Sequence, residues 1–427
     1  MTVLLKRAHI IDPSQSLDMA GDLLLRDGRI AKVGEDLFQH IGEAEEVLDC
    51  AGLVAAPGLV DMHVHLRDPG LTYKEDLFSA CRAAAAGGVT SLLAMPNTRP
   101  VMDSPELVRD LLERAGTADA AVYTAACVTQ GMQGEKLTDF EALKEAGAIA
   151  LSDDGAPVGS SRLLLEALEQ APGLGLAICA HCEDLDLAKG GLMHKGAVSE
   201  ELGVPGIPAA AEDCGTAREL AAAASIGAPI HICHVSTKGS VELIRDYKRR
   251  GLPVTAETCP HYLLLTDEAL RGRDADYRMN PPLRGEADRL ALLEGLKDGT
   301  IDAIATDHAP HSPKEKADFY AAPNGSIGME TSLCAAFTAL EGVLSLPEIL
   351  EKMSAAPARI LGIPAGTLKE GAWADILLFD PAGHWQVLEN KLHGKSRNTP
   401  FKGMTLKGRV AATFFRGRKV FDNRAGL

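Results

Sequence analysis

The chain has 427 residues, 46% hydrophobic but only 4% aromatic, and carries a formal net charge of -16 at pH 7. Its length suffices for one large α/β barrel or two ordinary domains, and its wealth of Ala, Gly, Leu and Val suits helices packed on strands better than an aromatic-rich sandwich. The acidic balance argues against a nucleic-acid partner, whose phosphates call for clustered Lys and Arg; a small anionic substrate stays open, because cations and one arginine reverse the potential locally.

The nine cysteines form no small-domain framework and point to reduced thiols in the cytoplasm. Cys179 and Cys182 make a single Cys-x-x-Cys and read as small buried residues at a strand end, not as a redox couple or zinc knuckle. The start, Met1-Thr2-Val3-Leu4-Leu5-Lys6-Arg7, lacks the basic-then-apolar order of a signal peptide. The longest weakly polar stretch, 220–235, is broken by Gly227, Pro229 and two histidines, so no membrane span is expected.

Residues 1–57 read as short strands separated by Pro and Gly signals, at 8–12, 22–25 and 29–33, and the segments at 375–379 and 410–415 behave alike. Two β-rich ends predict one small β domain assembled from 1–57 and 361–427. Between them, 58–360 alternates apolar runs with helical periodicity. The runs lie at 59–66, 89–95, 120–128, 148–151, 176–180, 229–235, 253–256 and 301–305; the helical stretches at 75–86, 104–115, 160–170, 212–226, 240–250 and 286–297. Eight strand units predict a closed (β/α)8 barrel of the TIM type, with an open doubly wound sheet as the alternative.

In such a barrel the chemistry sits at the carboxyl ends of the strands. The first run ends in His63-Val64-His65, two imidazoles on one side of an extended strand, followed by Arg67. The second leads to Met95-Pro96-Asn97-Thr98 and the fourth to Ser152-Asp153-Asp154-Gly155. The fifth gives His181-Cys182-Glu183-Asp184 and the sixth Cys233-His234. The seventh gives Glu257-Thr258-Cys259-Pro260-His261, and the eighth Thr306-Asp307-His308-Ala309-Pro310-His311. Gly-x-Gly-x-x-Gly and Walker patterns are absent.

Four histidines and two aspartates suffice for two divalent ions about 4 Å apart that share one carboxylate. Imidazole and carboxylate together favour zinc. His63, His65 and Asp307 are assigned to one ion and His181 and His234 to the other, with one aspartate of the Asp153-Asp154 pair shared. Water held between such ions is deprotonated near pH 7, roughly, and Asp307 is placed to move its proton to a leaving nitrogen. The reaction this predicts is the reversible opening of a cyclic amide. Arg67, Asn97 and His311 suit a substrate carboxylate, and Asn280, in Met279-Asn280-Pro281-Pro282-Leu283-Arg284, suits an amide-like ring edge. His231 is read as a core histidine, and His261 and His308 are left out of the site.

Taken together, His63-Val64-His65-Leu66-Arg67-Asp68-Pro69-Gly70, Met95-Pro96-Asn97-Thr98, Asp153-Asp154-Gly155, Ala180-His181-Cys182-Glu183-Asp184, Cys233-His234-Val235-Ser236, the Asn280 motif and the Asp307 motif resemble bacterial dihydroorotases of the amidohydrolase superfamily. The resemblance spans nearly the whole chain. It implies interconversion of N-carbamoyl-L-aspartate and (S)-dihydroorotate in pyrimidine (UMP) synthesis, two zinc ions per subunit, and Asp154 as the shared ligand of an aspartate-bridged, class I enzyme. It also implies a cytoplasmic homodimer, opens the possibility of a complex with aspartate transcarbamoylase, and counts His65, Asn324 and Gly325 among residues that touch substrate. Hydantoinases and dihydropyrimidinases instead bridge their metals with a carboxylated lysine, and Ser152-Asp153-Asp154 offers none. One departure concerns the substrate loop, commonly Pro-Phe-Gly in the family and here Pro323-Asn324-Gly325; it bears on loop closure and affinity. Two competing functions are a hydantoinase, dihydropyrimidinase or allantoinase, disfavoured by Arg67, Asn97 and His311, and a non-catalytic scaffold for aspartate transcarbamoylase, disfavoured by the complete ligand set.

Overall fold

The computed structural model describes residues 1–424; residues 425–427, the end of the expected C-terminal β segment, lie outside the described residues. Strands β1 (Thr2–Asp12), β2 (Leu17–Arg26), β3 (Arg29–Gly34), β4 (Glu46–Asp49) and β5 (Val54–Pro57) arise from short apolar runs punctuated by Pro, Gly and Asp turn signals. The barrel strands follow: β6 (Leu59–Val64), β7 (Val89–Ala94), β8 (Ala121–Ala126), β9 (Ala150–Leu151) and β10 (Ala177–Ala180). After a two-stranded ribbon of β11 (Met193–His194) and β12 (Gly206–Ile207) come β13 (Ile230–Ile232), β14 (Val254–Thr258) and β15 (Ala303–Ile304). The C-terminal strands are β16 (Ile376–Gln386), β17 (Thr405–Phe415) and β18 (Arg418–Asp422).

The barrel strands pair in parallel in the order β15-β14-β13-β10-β9-β8-β7-β6. The seam between first and last is narrowed by a parallel bridge of Val64 with His308, and by Asp61, which accepts from the Thr306 backbone N–H at 3.0 Å and hydroxyl at 2.5 Å. Val60, Met62, Leu93, Met95 and a set of small residues, Ala125, Ala150, Cys179, Cys233, Ala303 and Ala305, form the interior cluster. Small side chains let eight strands close around a filled core, which accounts for the scarcity of aromatics. All nine cysteines are free, and Cys179 and Cys182 are both buried, as expected.

The ends of the chain share one mixed sheet, ordered β18-β17-β16-β5-β1-β2-β3 with β4 on β1. Its joining point is the antiparallel register of β16 on β5, from Ile376 opposite Pro57 to Phe379 opposite Val54. Gly58 alone separates β5 from β6, and a Cβ there would lie 2.1 Å from the Thr90 hydroxyl, so the sheet passes into the barrel at a point where only glycine fits.

The expected helices appear at Leu77–Ala86, Pro105–Ala115, Ser161–Gln170, Ala210–Ile226, Lys238–Arg249 and Glu286–Lys297. Unforeseen were the short helix Phe140–Ala146 and the ribbon β11/β12. After β15 the chain runs through an irregular segment before the helix Ser332–Ala339; that segment carries Asp307 and His311. No helix among the described residues is long and apolar enough to cross a membrane.

Candidate active site

All of the predicted site residues except His63 line one cavity of about 240 Å³ at the strand ends. His63 lies beneath it with no exposed surface. Three site residues, Arg67 (φ 60), His234 (φ 34) and Asp307 (φ 48), adopt the left-handed backbone region although none is glycine. Each such conformation costs about 1–3 kcal/mol and persists only where surrounding structure imposes it. Here it occurs where the chain leaves a strand and turns a side chain into the cavity.

Three histidines are held from behind. The Nδ1 of His63 meets Glu257 Oε1 at 2.9 Å, the Nδ1 of His65 meets Asn97 Oδ1 at 2.8 Å, and the Nε2 of His181 meets Glu183 Oε2 at 3.1 Å. An oxygen of this kind accepts only, so each imidazole directs its other nitrogen inward. His63 Nε2 lies 3.3 Å from Asp154 Oδ1 and 3.7 Å from Asp307 Oδ1, yet it is buried without a hydrogen-bond partner. His65 Nε2 lies 2.9 Å from Asp307 Oδ1 and 3.6 Å from Asp154 Oδ2. On the other side, His181 Nδ1 and His234 Nε2 are 2.9 Å apart, at 3.5 and 3.4 Å from Asp154 Oδ1.

Two groups of potential ligands therefore share Asp154: His63, His65 and Asp154, and Asp154, His181 and His234. Imidazole nitrogens this close to carboxylate oxygens call for positive charge between them, carried by ring protons or by a bound cation. Donor atoms on a tetrahedral zinc ion stand about 3.4 Å apart, given bonds of roughly 2.0–2.1 Å, and the spacings here match. The residues present fit a pair of divalent cations. Burial alone would push Asp307 up, but the His65 hydrogen bond and the charges of His63, His65 and His234 hold it at about 2. Asp154 is likewise held well below the usual carboxylate range: burial opposes this, and His63, His181 and His234 outweigh it.

The geometry separates Asp154 from its neighbour. Asp153 turns away and accepts from the backbone N–H of Val128 at 2.8 Å and of Thr129 at 3.2 Å, and from the Thr129 hydroxyl. It anchors the loop after β8. His308 and His261 stay outside the ligand set: His308 Nδ1 accepts from Gly328 N–H at 3.2 Å, and burial lowers the two rings to about 3 and about 4. His231 is buried against Thr255 at 2.8 Å.

Around the mouth, the buried guanidinium of Arg67 donates through Nε to Pro310 O at 3.2 Å, leaving its terminal nitrogens toward the cavity and His311. Asn97 has both ends of its amide engaged, Oδ1 with His65 and Nδ2 with Asp154 at 3.3 Å. Asn280 gives one amide N–H to Glu183 Oε2 at 3.0 Å and keeps a buried Oδ1 with no partner, an acceptor it offers to a ligand. At the loop that departs from the family pattern, the Asn324 side chain accepts from Arg278 at 3.2 Å while its backbone carbonyl meets His311 Nε2 at 2.8 Å. Gly325 follows at φ 133, and a Cβ there would stand 2.7 Å from the Ala309 Cβ and 3.0 Å from His311 Nε2.

Glu257 and Glu183 were passed over in the sequence. Glu183 carried a signal, being two residues from His181; Glu257 stands 194 residues from His63 and gave none. Glu257→Gln keeps an acceptor for His63 but removes its charge. It is expected to weaken zinc affinity about 10–100-fold while kcat recovers at saturating zinc, as chelator competition and metal titration would report.

A family model described as dihydro-orotase-like matches residues 52–240. A dihydroorotase of Citrifermentans bemidjiense is 50% identical over 425 residues, 99% of this chain and 100% of the relative. One of Trichlorobacter lovleyi is 48% identical over 427 residues, again 99% and 100%. Among solved structures, L-hydantoinase (dihydropyrimidinase) from Arthrobacter aurescens superposes with a TM-score of 0.88 at 25% identity, covering 98% of this chain and 96% of that one. Dihydropyrimidinase from Brevibacillus agri NCHU1002 gives 0.86 at 26% identity, covering 99% and 96%. The backbone is thus common to cyclic amide hydrolases, whereas the full-length sequence likeness is to one branch of them, and the chain belongs to the dihydroorotase family.

Proposed function

We propose that this protein interconverts N-carbamoyl-L-aspartate and (S)-dihydroorotate, with His63, His65 and Asp307 holding one zinc ion, His181 and His234 a second, and Asp154 shared by both. The observation that carries this reading is the convergence of six ligand-type side chains beside a buried Arg67, five lining one cavity and His63 directly beneath it. When bound, the two ions would supply a water deprotonated at roughly pH 7 and polarise a ring carbonyl.

The chain's own residues do the remaining work. Asp307, ionised and at hydrogen-bond distance from His65, takes the proton of the attacking water and passes it to the ring nitrogen that leaves. Arg67 and His311 hold the substrate carboxylate, and the unpartnered Oδ1 of Asn280 accepts from a ring N–H. Asn97 acts by fixing His65 and Asp154, and Asn324 and Gly325 wall the cavity.

The direct test is turnover of dihydroorotate, and closure of carbamoyl aspartate, by the purified zinc-loaded chain beside a hydantoin lacking the carboxylate. Preference for the hydantoin would transfer the assignment to the hydantoinase branch. Arg67→Met is expected to raise KM for dihydroorotate about a hundredfold, the scale of a lost charge-assisted pair, with much less effect on the hydantoin. Equal losses on both would remove Arg67 from carboxylate recognition. We further take 1–57 with 361–427 as one domain and 58–360 as the other, and infer a cytoplasmic location, supported by nine free thiols.

A further inference from the structure

Lys74 is a buried lysine, 8% exposed, beside the cavity but not among its lining residues. Its ammonium lies 3.1 Å from His311 Nδ1 and 2.9 Å from Glu315 Oε1. It is anchored from behind, since the Ser396 hydroxyl donates to the Lys74 carbonyl at 2.8 Å and the adjacent Glu75 accepts from the Lys395 N–H at 3.1 Å.

An ammonium only donates and a backbone carbonyl only accepts. His311 sits between one of each, Lys74 Nζ at Nδ1 and Asn324 O at Nε2. A single protonation state satisfies both contacts: a neutral ring with its hydrogen on Nε2. That N–H donates to Asn324 O and stands 3.4 Å from Arg67 Nη2, so an anion seated against Arg67 at the wall of the cavity shares it with the carbonyl in a three-centre hydrogen bond.

We propose that Lys74 is a positioning residue for substrate recognition: by donating to Nδ1 it fixes His311 as a neutral Nε2–H donor that completes, with Arg67, the carboxylate pocket. This rests on the dihydroorotase reading. The charged groups facing His311 are the cations Arg67, Lys74 and Lys316 and, at 4.0 Å, the carboxylate of Glu315. Burial and the three cations push the ring down to about 2. The consequence is chemical: ring opening creates a second carboxylate and releases a proton, so the balance of the reaction shifts with pH, and a free histidine of pKa about 6.5 would change charge near neutrality. Held by Lys74, the pocket keeps one state throughout.

Two experiments test this. In histidine-selective 15N spectra of the full chain, with His311→Asn to assign the signal, His311 is expected neutral with its hydrogen on Nε2 from pH 6 to 8. An Nδ1–H tautomer, or an imidazolium at pH 6, overturns the proposal, and the result does not depend on turnover. In kinetics, Lys74→Met is expected to raise KM for dihydroorotate about tenfold at pH 8 with kcat within about threefold, and KM should fall again toward pH 6 as the released ring gains charge. Lys74→Arg should restore the unmutated profile, and Lys74→Met should add little in the His311→Asn background. A pH-independent rise in KM, or additive effects of the two substitutions, overturns the proposal. An unmutated chain that ignores dihydroorotate would instead sink the functional reading, leaving the tautomer measurement standing.

Discussion

Asp307→Asn is expected to lower kcat for dihydroorotate about a thousandfold to ten-thousandfold, with KM changed less than about fivefold. The amide keeps the shape of the side chain and an oxygen near His65 but can no longer accept a proton from water. Asp307 approaches His65 at 2.9 Å and His63 at 3.7 Å, beside the shared Asp154, so it touches the ligand cluster and the cavity at once. Steady-state rates measured with metal content on the same preparation separate its two proposed duties. Loss of rate with metal retained assigns it to proton transfer; loss in proportion to metal reduces it to a ligand. A variant with full rate and full metal would remove Asp307 from the mechanism.

Stripping the metal is expected to abolish turnover, to below about 1% of the starting rate, and two equivalents of zinc per chain should restore it. The physical reason is the electrostatics of the cluster. His63 Nε2 is buried without a hydrogen-bond partner, and inward imidazole nitrogens face two carboxylates at 2.9–3.7 Å. A buried charge without compensation costs several kcal/mol, on the order of what one broken buried pair costs. The stripped protein should therefore also unfold at lower temperature, and zinc should raise its Tm by mass action. Full activity after complete metal removal, checked by elemental analysis, would end the metal-dependent reading.

Much of the site was visible along the chain because period two in a strand is a local rule. His63 and His65 share a side for that reason, and their neighbours at later strand ends meet them once eight strands close into a barrel. The strand runs survived as β6 to β10 and β13 to β15, with bounds trimmed where apolar residues continue into the loops. The helix Phe140–Ala146 escaped notice because seven residues show barely two turns of periodicity. The segment between β15 and Ser332 has no period at all. Its shape comes from contacts such as Asn398 Nδ2 with Gly325 O at 3.0 Å and Gly325 N–H with Arg278 O at 2.9 Å.

The amino-acid order alone was enough for the barrel class, the β-rich ends and the ligand-type residues, since each follows from short-range periodicity or from side-chain chemistry. It was not enough to choose Asp154 over Asp153, adjacent residues that differ only in which way the loop turns them. Nor did it reveal that Glu257 holds His63, that Asn97 bonds both His65 and Asp154, or that Lys74 faces His311 across 237 positions. Those relations exist only after closure of the barrel and docking of the C-terminal segment bring distant residues within hydrogen-bond reach, because a hydrogen bond depends on angstrom-scale distance and direction, and neither is written in the order of residues.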